Sequence, residues 1–150
     1  MGIFKKAEIK KNYNFGNQLG SGNFAVVKKA SANKDAEDGA VKKGDEVAIK
    51  IIDKAKVEDM EDIQREIEIM GILKHDNVIK LFGIYEEPKK MMLVMELVTG
   101  GELFDSIVDR GNYSEKDAAK VMMQLCDALA YMHEKEVVHR DLKPENILLS

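Results

Sequence analysis

His139-Arg140-Asp141-Leu142-Lys143-Pro144-Glu145-Asn146 is the stretch that decides how this chain is read. Two short apolar runs flank it, Val137-Val138 and Ile147-Leu148-Leu149, and both read as strand stubs holding a rigid polar loop. Within six residues the loop sets out an acid (Asp141), a cation (Lys143) and an amide (Asn146). An acid accepts a proton, a lysine neutralises a phosphate, and an amide oxygen holds a metal ion. Those are the needs of phosphoryl transfer, where catalysis is mostly positioning and charge stabilisation. A plain polar turn between two strands is the alternative, and it gives no reason for these residue types at this spacing.

The segments just before the loop read as helices. Ser114-Glu115-Lys116-Asp117 has the form of a capping box. It opens a helix to Lys135 with Ala118, Val121, Met122, Leu125, Ala128, Leu129 and Met132 on one face. Its methionines read as core filler, Cys126 as a buried, inert thiol and His133 as structural or as a complement to the helix C-terminus. Upstream, Leu103, Phe104, Ile107 and Val108 begin a shorter amphipathic helix closed by Gly111. Gly100-Gly101 separates it from a strand, and a short hinge of this kind is where a ligand cleft would form.

The first half of the chain reads as strands. Tyr13, Phe15 and Leu19 lead into Gly20-Ser21-Gly22-Asn23-Phe24-Ala25, and Val26-Val27 follow. Two glycines two apart let a backbone bend closely over a phosphate. The spacing alone also fits a dinucleotide-binding loop, but that loop must open a helix. Here the aromatic and β-branched residues continue as a strand, so the glycines belong to a hairpin. No GxxxxGK[ST] string is present. Ser31 to Glu46 reads as a long solvated loop, and residues 1–12 as a mobile lead-in.

Glu46 to Ile52 is a period-two strand that sets Ala48, Lys50 and Ile52 on one face and Val47, Ile49 and Ile51 on the other. A lysine on an apolar face demands a partner. Val57 to Met70 reads as a helix with Met60, Ile63, Ile67 and Met70 on its buried stripe, and Glu66 falls on that stripe. Lys50 and Glu66 therefore explain each other as an ion pair between strand and helix. The remaining acids of this helix read as a solvated face, and His75 as a structural hydrogen-bonder. Val78 to Tyr85 and Lys90 to Glu96 complete five strands and one helix.

Composition bounds the partners. Lys+Arg 23 against Asp+Glu 27 gives net charge −4, which does not favour nucleic acid. One cysteine excludes an intramolecular disulfide and suits a reducing compartment, so a cytoplasmic setting is expected. The longest apolar run, Met91 to Met95, is too short to span a bilayer, and no membrane partner is expected. The N-terminus lacks the apolar core of a signal peptide, and Lys6 stands where an acylation motif wants Ser or Thr.

Four motifs in order (the glycine loop, Val47-Ala48-Ile49-Lys50, Glu66 and the His139–Asn146 loop) make residues 13 to 150 resemble a eukaryotic protein kinase domain. Lys143, two after Asp141, points to a serine/threonine kinase. The wording of residues 19–29 and 96–105 is similar to the calcium/calmodulin-dependent group, and within it to the death-associated protein kinases. The resemblance implies an α+β, protein-kinase-like fold. Its lobes would be a five-stranded antiparallel β N-lobe with one helix at 13–96, a hinge at 97–102, and the start of a helical C-lobe at 103–150. It implies ATP and Mg²⁺. Leu19, Gly20, Ser21, Gly22, Asn23, Phe24, Ala25, Val27, Ala48, Met95, Glu96 and Val98 would line the nucleotide, with Met95 as gatekeeper. Lys50 would hold the α- and β-phosphates, braced by Glu66. Asp141 would take the substrate hydroxyl proton, Lys143 would neutralise the γ-phosphate, Asn146 would bind Mg²⁺ and Arg140 would meet an activation-loop phosphate. Glu102 and Glu145 would face the ribose or a basic substrate residue. Ala25 replaces the third glycine of the family pattern. The D-F-G segment, the activation loop and any calmodulin-binding tail would follow Ser150, so the chain is expected to be the amino-terminal part of the domain, inactive by itself. Two classes stay open: a serine/threonine kinase acting on protein substrates, or a non-catalytic nucleotide-binding or regulatory piece.

Overall fold

The computed structural model describes residues 4–5 and 8–150. It divides into two units: the chain up to Ile72 together with Lys80–Leu97, and Leu73–Ile79 together with Val98–Ser150.

The first unit is built on one sheet. Its elements are β1 (Phe4–Lys5), α1 (Ile9–Asn12), β2 (Tyr13–Ser21), β3 (Ala25–Ala32), β4 (Glu46–Asp53), α2 (Met60–Ile72), β5 (Leu81–Glu86) and β6 (Lys90–Glu96). Strand order is β1-β5-β6-β4-β3-β2. The five strands from β2 to β6 pair antiparallel, as the sequence predicts, while β1 adds a two-residue parallel rung to β5. Strand β5 starts at Leu81, three residues later than expected. The His75–Val78 turn, closed by Val78 N–H donating to the His75 carbonyl at 3.1 Å, occupies the expected start.

Both faces of the sheet are covered. On one, Ile52, Ile84, Met91 and Leu93 pack with Ile63 and Ile67 of α2. On the other, Val47, Ile49, Met92 and Val94 pack with Ile9, Tyr13, Val41 and Tyr85. Two sequence expectations fail on this second face. Within the lead-in, Ile9–Asn12 is a helical turn with Ile9 only 2% exposed, and Asn12 Nδ2 donates to the Tyr85 hydroxyl at 2.8 Å. Met1–Ile3 and Lys6–Ala7 lie outside the described residues. The 33–45 connection is likewise more than solvated loop. Ala36 N–H donates to the Val41 carbonyl at 2.7 Å, Lys43 N–H to Asp35 Oδ1 at 2.7 Å, and Val41 sinks to 2% exposure. One apolar side chain among charges was enough to bring the loop down onto the sheet.

Helix α2 begins at Met60, not Val57, because a 3-10 turn at Lys54–Lys56 intervenes. The Asp53 carboxylate accepts from Ala55 N–H and holds that turn at the strand end.

The second unit carries α3 (Leu103–Arg110) and α4 (Glu115–Glu134). Ser114 caps α4 as expected: its Oγ accepts from Asp117 N–H at 3.1 Å and donates to Asp117 Oδ2 at 2.8 Å. The far end closes with Glu136 in the left-handed region (φ 60°), where Glu136 N–H donates to His133 and Val137 N–H to Met132. That turn buries Val137 against Leu73 and Met132 and launches the chain into the 139–146 loop. His75 is structural, as expected: it stacks on Tyr131 and lies 3.2 Å from Asp127 Oδ2. Cys126 is exposed, contrary to the expectation of a buried thiol, as are Met122 and Met123 beside it. Neither flanking run of the loop forms a strand; the only pairing there is an isolated antiparallel bridge between Glu102 and Leu148.

Candidate active site

In the first unit, the strand register sets the predicted residues on one face. Lys50 stands opposite Val27 on one side and Leu93 on the other; Ala48 stands between Lys29 and Met95. Directly paired residues project to the same side of a sheet, so Val27, Ala48, Lys50 and Met95 share a face, the one that α2 covers at Ile52.

Lys50 finds its expected partner, Glu66 Oε1, at 3.7 Å. That is wider than a hydrogen bond, and the Glu66 side chain is 55% exposed against 25% for Lys50. Glu66 therefore sits at the rim of the stripe and not on it, a correction to the sequence reading. Burial of Ile63 and Ile67 contributes roughly 1.5–3 kcal/mol each. A half-exposed ion pair contributes about 0–1 kcal/mol. Apolar packing places α2, and the pair follows.

The glycine loop is a hairpin end between β2 and β3. Gly22 N–H donates to the Ala25 carbonyl at 2.8 Å, and Asp53 N–H donates to the Phe24 carbonyl at 2.9 Å. Phe24 and Ala25 pack against the Ile52 cluster, while Leu19, Ser21 and Asn23 are exposed. Neither Gly20 nor Gly22 has positive φ, a Cβ at Gly20 would meet nothing within 4 Å, and one at Gly22 only the Ala25 carbonyl at 4.0 Å. The protein's own packing does not require glycine at either position.

In the second unit, the 139–146 loop is held by polar contacts. Asn146 Nδ2 donates to Asp141 Oδ2 at 2.9 Å and to the Asp141 carbonyl at 2.8 Å, and Lys143 Nζ lies 3.3 Å from Asp141 Oδ2. The hydrogen bond from Asn146, and then Lys143, hold the Asp141 carboxyl below its ordinary range. The carboxylate is thus ionised at neutral pH, and its side chain is 69% exposed. With its nitrogen engaged, Asn146 keeps its amide oxygen for another partner.

Backbone geometry supports this arrangement. A 3-10 turn at Pro144–Asn146 brings Asn146 back toward Asp141, Arg140 takes φ 68°, and His139 Nδ1 accepts from Asp141 N–H at 3.3 Å. That role of His139 is one the sequence reading missed, and nothing but its place in the motif signals it. The loop's exit is pinned to α3: Leu103 N–H donates to the Ile147 carbonyl and Leu149 N–H to the Gly101 carbonyl, both at 2.8 Å. A Cβ on Gly100 would lie 2.0 Å from the Leu149 carbonyl oxygen, so only glycine allows this approach. Glu102, paired with Leu148, is brought beside the loop that carries Glu145, which is exposed; Val98 precedes them on the same unit. Glu96 belongs to the first unit, where its Oε2 accepts from Lys80 N–H at 3.2 Å.

Comparison with known proteins agrees with this geometry. Residues 13–150 match the protein kinase domain family. A probable myosin light chain kinase of Dictyostelium discoideum is 47% identical over the whole of this chain, which covers 37% of that protein. Calcium-dependent protein kinase 5 of Plasmodium berghei is 50% identical over 87% of this chain, covering 22% of that protein. Calcium/calmodulin-dependent protein kinase type 1 of Caenorhabditis elegans is 44% identical over 95% of this chain, covering 39% of that protein. The chain thus spans well under half the length of each of these relatives. On its motifs, its fold and these likenesses, it belongs to the protein kinase family, among the serine/threonine kinases of the calcium/calmodulin-dependent group.

Proposed function

We propose that these residues serve ATP-dependent phosphoryl transfer to serine or threonine hydroxyls of protein substrates. The observation that carries the reading is the Asp141 carboxylate, ionised and oriented by Asn146 and Lys143. An ionised carboxylate on an exposed loop orients and accepts the proton of an incoming hydroxyl. Lys143 then exchanges its contact with Asp141 for the transferred phosphate, and Lys50 grips the α- and β-phosphates from its place beside Val27 and Ala48. Gly20 and Gly22 give the phosphates room against the backbone, and Val27, Ala48 and Met95 offer the adenine an apolar surface.

Kinases of this family use Mg²⁺, which when bound would offset the charge of the phosphates. The donor chemistry fits: the Asn146 amide oxygen, left free while its nitrogen donates to Asp141, is a hard oxygen ligand. Among the described residues no group of three carboxylate, histidine or cysteine side chains forms a metal cluster, so water and phosphate would complete the shell. Residues 1–150 alone should therefore transfer no phosphate, with an open Asp141 and one protein ligand for the ion, while still taking up ATP weakly. Substrates should carry a basic residue before the acceptor, drawn by Glu102 and Glu145. A calmodulin-responsive tail is part of the same reading, as is a cytoplasmic setting.

The test is a hybrid in which residues 13–150 replace the matching stretch of the Caenorhabditis elegans relative. The hybrid should phosphorylate a basic serine peptide, and Asp141→Asn should remove about 10²–10⁴-fold of the rate. A folded hybrid that takes up ATP without transfer would favour the non-catalytic nucleotide-binding reading. For the chain alone, labelled phosphate transfer that vanishes with Asp141→Asn would show the isolated residues to be sufficient.

A further inference from the structure

Gly100-Gly101, which in the sequence marks a break between strand and helix, has a second role inside the second unit. Gly101 takes φ 80°, turning the backbone so that its carbonyl accepts from Leu149 N–H at 2.8 Å. Gly100 lies so close to Leu149 that a Cβ there would be 2.0 Å from the carbonyl oxygen and 2.5 Å from the carbonyl carbon. Two further links follow in step: Glu102 bridges Leu148, and Leu103 N–H donates to the Ile147 carbonyl at 2.8 Å. Residues 100–103 thus form a backbone splint along 147–149.

The splint begins at the residue after Asn146, so no slack separates it from the amide that holds Asp141. At the loop's other end Val137 is buried against Leu73 and Met132. Between these two anchors the loop is exposed and takes its shape from the polar contacts of His139, Asp141, Lys143 and Asn146. Exposed contacts of this kind follow an anchor that moves; they do not hold against it. A Cβ on Gly100 would force the Leu149 carbonyl back by about 1 Å, and a backbone group cannot swing aside as a side chain can.

We propose that Gly100 is a positioning residue for Asp141 and Asn146: by letting the backbone of 147–149 close against 100–103, it fixes where the Asn146 amide meets the Asp141 carboxylate. The consequence for turnover rests on the function proposed above; the effect on the loop does not, and is measured without ATP.

In nitrogen-15-labelled chain the two side-chain amide protons of Asn146 report its bonds to Asp141, and Gly100→Ala should move both toward the positions of a free amide. Gly111→Ala is the control. It puts a Cβ at a left-handed position (φ 71°) of the same unit where nothing lies within 4 Å, so it should lower stability and leave those signals in place. Should Gly100→Ala fail to fold, Leu103→Pro suits the first position of α3 and removes the N–H given to Ile147. It should move the Asn146 signals further than Leu103→Ala, which keeps that N–H. In the hybrid enzyme Gly100→Ala should lower kcat about 10²-fold, the cost of a misplacement of about 1 Å, with KM for ATP little changed. Signals unmoved by Gly100→Ala, moved as far by Gly111→Ala, or moved no further by Leu103→Pro than by Leu103→Ala would overturn the proposal, as would an unchanged kcat in an active hybrid. A hybrid inactive without any variant would count against the function proposed above, and the amide signals would still decide this one.

Discussion

Lys50 and Asp141 are placed by opposite means. Lys50 sits in the middle of a sheet covered on both faces, with Ile49 fully buried beside it and Leu93 and Val27 across the rungs. Asp141 sits on an exposed loop that owes its shape to a few polar contacts: two from Asn146, one from Lys143 and one from His139. In the first unit many apolar contacts, each weak, fix one cation. In the second a few polar ones fix one anion. In the function proposed above, Lys50 would need a rigid mount to hold phosphates, whereas Asp141 would meet a substrate that comes from solvent.

The difference can be broken from either side. The largest effect is expected at the loop: in the hybrid enzyme, Asp141→Asn should reduce turnover about 10²–10⁴-fold with ATP affinity nearly unchanged. Retained turnover would take Asp141 out of the chemistry. Lys50→Met should lower turnover by roughly two orders of magnitude, the size of losing a preorganised charge contact, again with the adenine still bound. If that variant instead loses ATP affinity alone, Lys50 is a binding residue only.

Stability should separate the two regions in the other direction. Ile67→Ala, in the core beneath α2, should cost about 2–5 kcal/mol in a urea titration. Glu66→Gln should cost no more than about 1 kcal/mol, because its pair with Lys50 is long and half exposed. A larger loss for Glu66→Gln than for Ile67→Ala would mean that the ion pair, not the packing, holds the helix.

The smallest effects are in titration. Burial, then the neighbouring Tyr85, push the Tyr13 hydroxyl up to about 12 from its ordinary 10.0. A raised phenol stabilises the folded form fully below the unfolded value, and that contribution is lost as pH rises from there through about 12. Tyr13→Phe should therefore flatten the alkaline fall in stability between those values; an unchanged limb would remove Tyr13 as its source. The Asp141 carboxyl runs the opposite way. Its lowered value adds stability above the ordinary carboxylate range, lost as pH falls through the folded value. Asn146→Leu and Lys143→Met should each raise its midpoint in a carbon-13 titration, since the Asn146 hydrogen bond and then the Lys143 hydrogen bond and charge all lower it. An unchanged midpoint in either variant would remove that residue as a support.

Much of this was legible in the residues, and unevenly. The period-two run at 46–52 fixed which side chains accompany Lys50, because alternation has only two outcomes. Ser114 and Gly111 marked helix ends through capping chemistry that is local to a few residues. What local pattern could not show was burial by distant partners. Val41 lies among charges, and Ile9 in a basic stretch, yet both enter the core formed by Val47 and Val94. Cys126 failed for the converse reason: helical periodicity gives a face, and whether anything packs on that face is a tertiary matter. In the loop, the motif named Asp141, Lys143 and Asn146 but not the Gly100–Leu149 approach that pins its exit, since two backbones meeting leave no trace in side-chain pattern.

The function proposed above requires that the glycine hairpin with Lys50 and the loop with Asp141 and Asn146 each respond to ATP. The direct test is to add Mg²⁺-ATP to isotope-labelled chain and follow backbone and side-chain resonances to saturation. Shifts concentrated at Gly20–Gly22, Val27 and Lys50 in the first unit and at Asn146 in the second, with the Lys50 responses weakened by Lys50→Met, are the predicted result. Saturation with shifts in only one of these sets, or with the largest shifts elsewhere, would contradict it.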